Sequence, residues 1–400
     1  MMSSMTQRGR LGAFLASIWH GAGDRYVYAR DHWFDPSTRH AVRERLRLMG
    51  PGNLTKADVL DPQFGRPLSE IPVVREDDLF PVGHSIQRPP WEVDPNQEVD
   101  PFDLAETCHA RHGVWPISFS FPGTPLDVPT GPRELVARIV PGLPYSFEDS
   151  KEYMGAYHDA YFGLTHRKAG WDCFRHVEIL ASGAIPLMLD ARDIPEFSMV
   201  HYPKRTLVEV ADRAMESGAP PGEVTRAGVR RWFDTYLTSA AMAGYVLGAA
   251  GLEGSKRVLF VDEALPGFAD YQSVLTLLGL KQLMGRDCHV MHPVDYVYDD
   301  TAVDTGSLYG RGFGYTRILD GGVRSSTELG AAIDLESFDA LVVGSISRNL
   351  ELAKDLLTRF PVQRTVWVHG EDGAPTMDET RWMKSTGTHL FVRAIHTGGQ

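Results

Sequence analysis

One pattern in the last part of this 400-residue chain leaves few folds open. Short runs of apolar residues alternate there with helical stretches. Arg257–Val261 reads RVLFV, an unbroken apolar run of the kind found in strands covered on both faces. The helical segment Tyr271–Met284 follows, then a strand at Cys288–Met291 and a loop-rich tract over residues 293–328. Next come a strand at Phe338–Val343, a helix at Asn349–Phe360, a strand at Thr365–Val368, a helix at Met377–Lys384 and a last strand at His389–Ala394. Strands that alternate with helices give parallel sheets closed by right-handed crossovers. The expected class is therefore α/β.

At roughly 150 residues per domain, 400 residues are too many for one core. Three zones differ in texture. Residues 1–113 are irregular and rich in Pro, Asp and His, with one amphipathic helix expected at Ser37–Met49. Residues 114–252 alternate strand and helix. A strand is expected at Val114–Phe121, helices at Pro132–Val140, Ser150–Asp159, Trp171–Ala181 and Arg205–Glu216, and strands at Ala160–Leu164 and Ile185–Leu189. One long helix over Gly222–Gly251, kinked near Ala240, would bridge to the next unit. Residues 255–400 form the second α/β unit, after a boundary at Gly251–Gly254. The first zone would wrap the middle one.

Lys and Arg number 40 against 52 Asp and Glu, a net charge of −12, which argues against nucleic acid or an anionic membrane as the main partner. Cys108, Cys173 and Cys288 give no disulfide framework and fit a reducing cytoplasm, so a cytoplasmic location is expected. No apolar run is long enough for a membrane span, and the first twenty residues read as an ordinary N-terminal segment.

The most informative segment is Tyr161–Asp190, YFGLTHRKAGWDCFRHVEILASGAIPLMLD. A short strand ends near Thr165, and the basic turn His166-Arg167-Lys168 leads through Gly170 to a helix opening at Trp171-Asp172. Free N–H groups and the helix dipole make such a start a phosphate site. Asp172, Arg175 and Glu178 recur every three residues and share one face. A cation beside a diphosphate and a carboxylate one turn further on can read a phosphate and then a ribose. The same spacing also fits a plain strand–helix–strand unit with a solvated charged face.

The segment resembles the donor-site signature of exostosin-like GT-B glycosyltransferases. The matching positions are Lys168, Gly170, Asp172, Arg175, His176, Glu178, Ile179, Leu180, Ala181, Gly183, Ile185 and Pro186. The resemblance implies two Rossmann-like parallel-sheet domains facing a cleft and a nucleotide-sugar donor, with no metal or other cofactor. It assigns donor pyrophosphate binding to Lys168 and Arg175 and ribose binding to Glu178, with Gly170, Asp172 and Gly183 completing the signature.

A second string, Val368-His369-Gly370-Glu371-Asp372 followed by Phe391-Val392-Arg393, is similar to one that bacterial relatives carry in their first domain. His369 stands where that pattern has Asp, and its following Lys is absent. The likeness implies a circularly permuted GT-B order, with the acceptor-type domain last. An unrelated flavodoxin-like domain over residues 257–400 is the alternative.

Glycosyl transfer needs a general base and a site for the leaving diphosphate. Reactive groups in open α/β sheets lie beyond the carboxyl ends of strands. Asp262 and Glu263 follow one predicted strand, and Glu371 and Asp372 follow another. The first pair ranks ahead of the second as base. The loop SLYGRGFGYTR, with Arg311, Tyr315 and Arg317, suits an acceptor contact or a lid. Its glycines do not sit between a strand and a helix, so they are no dinucleotide fingerprint. Cys108-His109-x-x-His112 offers one thiol and no partner pair, and no metal is expected there.

The expectation is a glycosyltransferase that moves a sugar from a nucleotide-sugar to a glycan or small-molecule acceptor, with self-association left open. A nucleotide-sugar hydrolase and a non-catalytic nucleotide-sugar-binding protein remain as alternatives.

Overall fold

A computed structural model describes residues 90–395, apart from 128–132, 138, 140–146, 189, 374 and 376. The helix expected at Ser37–Met49 lies outside the described residues.

The elements run in chain order as α1 (Pro101–His112), β1 (Trp115–Pro116), β2 (Glu134–Val136), α2 (Ser150–His158), β3 (Ala160–Thr165), α3 (Phe174–Ala181), β4 (Ile185–Met188), α4 (Lys204–Ser217), α5 (Glu223–Tyr236) and α6 (Ser239–Ala249). There follow β5 (Val258–Val261), α7 (Tyr271–Met284), β6 (Cys288–Val290), β7 (Ala340–Val343), α8 (Leu350–Leu357), β8 (Thr365–His369), α9 (Met377–Ser385) and β9 (His389–Val392).

Two parallel sheets organise them. One has six strands in the order β1-β9-β8-β7-β5-β6, and the other has three in the order β2-β3-β4. The five strands from residue 257 onward take the 2-1-3-4-5 order of an open doubly wound sheet. Every residue of β5, β7 and β8 is buried, as strands covered on both faces require.

Four local expectations are corrected. Val114–Phe121 is a strand only at Trp115–Pro116, where it pairs with Phe391 and Val392 at the edge of the six-stranded sheet. Past Pro116 the chain leaves the sheet. The Phe119 N–H bonds Asp172, and Phe121 pairs with the 237–239 segment.

No helix occurs among the described residues of the stretch expected to be helical at 132–140. Glu134–Val136 is instead strand β2, in register with Ala160 and Phe162 of β3. Sheet pairing outweighs local propensity there.

The helix expected from Trp171 starts at Phe174. The tract Gly222–Gly251 is two helices rather than one kinked helix. Phe121 donates to the Leu237 carbonyl and accepts from the Ser239 N–H, which takes both groups out of the helical ladder. Thr238 then caps α6, its hydroxyl accepting from Ala241.

Helix α6 is apolar and packs along α7, tying the two sheets together. Gly279 allows the close approach, since a Cβ there would collide with the Ser239 carbonyl. Among the described residues, no helix is long and apolar enough to cross a membrane.

Candidate functional site

The carboxyl end of β3 and the helix α3 hold the residues that the sequence singled out. All eight residues of α3 are buried. Its start is set by His176, whose Nε2 lies 3.1 Å from the Trp171 carbonyl and whose Nδ1 lies 3.1 Å from the Thr165 hydroxyl. A carbonyl only accepts, so Nε2 carries the proton and Nδ1 accepts from Thr165. Burial pushes the His176 pKa down to about 3, against the pull of the Trp171 hydrogen bond, so the ring is neutral.

Arg175 is 9% exposed, and its Nε and Nη1 have no hydrogen-bond partner among the described residues. A guanidinium keeps its charge at any ordinary pH. One turn on, Glu178 is 7% exposed and accepts a 2.9 Å hydrogen bond from the Tyr153 hydroxyl. Burial raises the Glu178 pKa to about 7, while the Tyr153 bond and the charges of Arg175 and Lys168 pull the other way. Lys168, Arg175 and Glu178 are thus close enough to share one electrostatic environment.

Gly170, Asp172 and Gly183 lie apart from that trio. The Asp172 carboxylate accepts from the Phe119 N–H at 2.7 Å and the Tyr202 hydroxyl at 3.0 Å. Burial raises its pKa to about 6, although Arg393 and both hydrogen bonds oppose the shift. It fastens the extended 117–121 segment. Gly170 lies against Arg393 and Asp372, and a Cβ there would sit 3.3 Å from Arg393 Nη1. Gly183 turns the far end of α3 with φ +78°.

The start of α3 is covered rather than open. Phe174 stacks on Tyr271 of α7 at 4.7 Å, and Phe119 meets both rings edge-on. The loop expected to act as acceptor contact or lid lies on the same helix. A Cβ on Gly314 would meet Phe174 at 2.8 Å and a Glu178 carboxylate oxygen at 3.5 Å. Phe313 packs 5.9 Å from Tyr153. Gly310, Arg311 and Gly312 carry φ of +62°, +58° and +70° in succession, a left-handed turn that two glycines make affordable and one arginine strains. Arg311 is partly exposed, 3.9 Å from Glu148. Tyr315 is fully buried with its hydroxyl on the Tyr309 carbonyl, a packing role. Arg317 is exposed, and its N–H bonds the Tyr296 carbonyl.

The two acidic pairs sit in different surroundings. Asp262 is 1% exposed and fully engaged. Its Oδ1 accepts from the Ala264 and Leu265 N–H groups and from Asn349, and its Oδ2 accepts from the Ser273 hydroxyl and Arg348. It builds the β5–α7 turn, with both carboxylate oxygens engaged. Glu263 is exposed near His292. Asp372 lies beside Gly170 of the donor segment. Glu371 accepts from the Ser347 hydroxyl at 2.7 Å, and Asp372 pairs with Arg393 at 2.5 Å, beside Gly170.

Tyr153, Gln272 and Arg393 had no assigned role in the sequence reading. Tyr153 sits on α2, and no spacing links it to Glu178. Arg393 follows β9, and its partners come from two other segments. The Cys108–His112 stretch is packing: Cys108 is buried and His109 stacks on Trp115 at 4.1 Å. Among the described residues, no group of metal-ligating side chains is present.

No protein-family model, curated protein or solved structure matches the chain.

Proposed function

We propose that this chain is a nucleotide-sugar-dependent glycosyltransferase with a GT-B-like division of labour between its two sheets. The observation that carries the proposal is Arg175, a permanent cation enclosed beside Lys168 and Glu178 with two guanidinium nitrogens unpaired. Glu178 offsets part of that charge, and an anionic ligand would satisfy the two guanidinium nitrogens that have no partner among the described residues. A diphosphate suits a fork of N–H donors backed by a lysine. Glu178 and Tyr153 one turn along offer acceptor and donor groups for ribose hydroxyls.

In the reaction, the bond from the anomeric carbon to the diphosphate oxygen breaks as the acceptor oxygen bonds that carbon. The acceptor's proton passes to Glu371 or Asp372, and the nucleoside diphosphate leaves onto Lys168 and Arg175. The Ser307–Arg317 loop roofs Glu178 and would have to shift for a nucleotide to enter.

The test is nucleoside diphosphate release from UDP-glucose, GDP-mannose and ADP-glucose, with and without a mixture of free sugars. Release that depends on the sugars supports a transferase. Equal release without them points to a hydrolase, and no release from any donor contradicts the proposal.

A further inference from the structure

Gln272 is the second residue of α7, and it is 1% exposed. Neither its Oε1 nor its Nε2 has a hydrogen-bond partner among the described residues. Leaving both ends of a buried amide unpaired is costly. An apolar side chain of the same size would carry no such cost.

The position of the amide is specific. Tyr271, its neighbour, stacks on Phe174 beside Arg175. On its other side, the Gln272 side chain lies against Gly370, so closely that a Cβ on Gly370 would come 2.8 Å from Gln272 Cγ. Glu371 and Asp372 follow directly. The Gly370 carbonyl is held by Arg393 Nε at 2.9 Å, and Arg393 Nη1 donates to the Asp172 carbonyl at 2.7 Å. Gln272 therefore lies against Gly370, the residue before the proposed base pair, and its neighbour Tyr271 stacks on the residue before Arg175.

Resting on the nucleotide-sugar reading above, we propose that Gln272 is a specificity-determining residue that binds a hydroxyl of the sugar moiety of the donor. A hydroxyl both donates and accepts, so it can engage both ends of the amide. Neither the diphosphate, which only accepts, nor an apolar group can do so. A buried group built to bond a hydroxyl discriminates strongly against ligands that lack it.

The test compares calorimetric affinities for UDP, GDP and ADP with those for UDP-glucose, GDP-mannose and ADP-glucose, in the parent protein and in Gln272→Leu. Gln272→Met is the second variant should the first not fold, and thermal melting checks both. The expected result is a drop of at least about tenfold in nucleotide-sugar affinity, with the affinity for the matching diphosphate unchanged. Melting at or above the parent temperature is expected, since the unpaired amide is gone. Unchanged nucleotide-sugar affinity, or an equal loss for sugar-bearing and sugar-free nucleotides, overturns the role of Gln272 while the donor site stands. Failure of the parent protein to bind any of the six compounds overturns the donor site and the role of Gln272 together.

Discussion

Arg393 Nη1 donates to the Asp172 main-chain oxygen at 2.7 Å, joining residues 221 positions apart. The same guanidinium holds the Gly370 carbonyl and Asp372, and it lies 4.3 Å from the centre of the Phe119 ring. The end of β9, the end of β8 and the approach to α3 are thereby fixed to one planar group.

Removing that group leaves buried carbonyls without their donor. Arg393→Met is expected to lose about 2–5 kcal/mol in urea unfolding. Asp372→Asn should stay within about 1 kcal/mol, because the Asp372 side chain is 54% exposed and solvent screens the pair. Equal losses in the two variants would show that the carbonyl contacts contribute nothing.

Gly279→Ala should destabilise by about 3 kcal/mol, since the added methyl meets the rigid backbone of Ser239 where α6 crosses α7. Gly248→Ala, in α6 with nothing within 4 Å of the new Cβ, should instead gain about 0.5–1 kcal/mol. Similar melting temperatures for the two variants would contradict this account of the helix contact.

The buried ionisable groups give opposite pH dependences. The Glu178 carboxyl titrates near 7 in the folded chain against an ordinary value of 4.5. Between those values the folded state holds the extra proton, so the Glu178 contribution to stability falls as pH rises through the window and is level above it. Neutral His176 and His201, both lowered by burial from 6.5 to about 3, act the other way and cost stability as pH falls from 6.5 towards 3. Glu178→Gln should gain stability relative to the parent as pH rises from 4.5 to 7. Parallel stability curves for the two proteins would remove the raised carboxyl from the description.

The apolar run at Arg257–Val261 and the alternation after it made five strands of the six-stranded sheet legible, whereas the sixth, β1, comes from the segment assigned to the other unit. Helix α7 has the predicted bounds, Tyr271–Met284. The failures share a cause in contacts distant in sequence. Glu134–Val136 becomes a strand through β3, and the helix break at Leu237–Thr238 comes from Phe121. In the site, Lys168, Arg175 and Glu178 were legible because one loop and one helix carry them. Tyr153, Gln272 and Arg393 were not, since each lies on another segment. Asp262 looked reactive because its position after a strand was visible and its five donors were not.

The proposed role of Arg175 is to hold a diphosphate. Calorimetric titration of UDP, GDP and ADP into the parent protein and into Arg175→Met tests it directly. Binding of at least one nucleotide by the parent, weakened by at least about tenfold in the variant, is the expected result. No binding to the parent protein, or the same affinity in both, would contradict it.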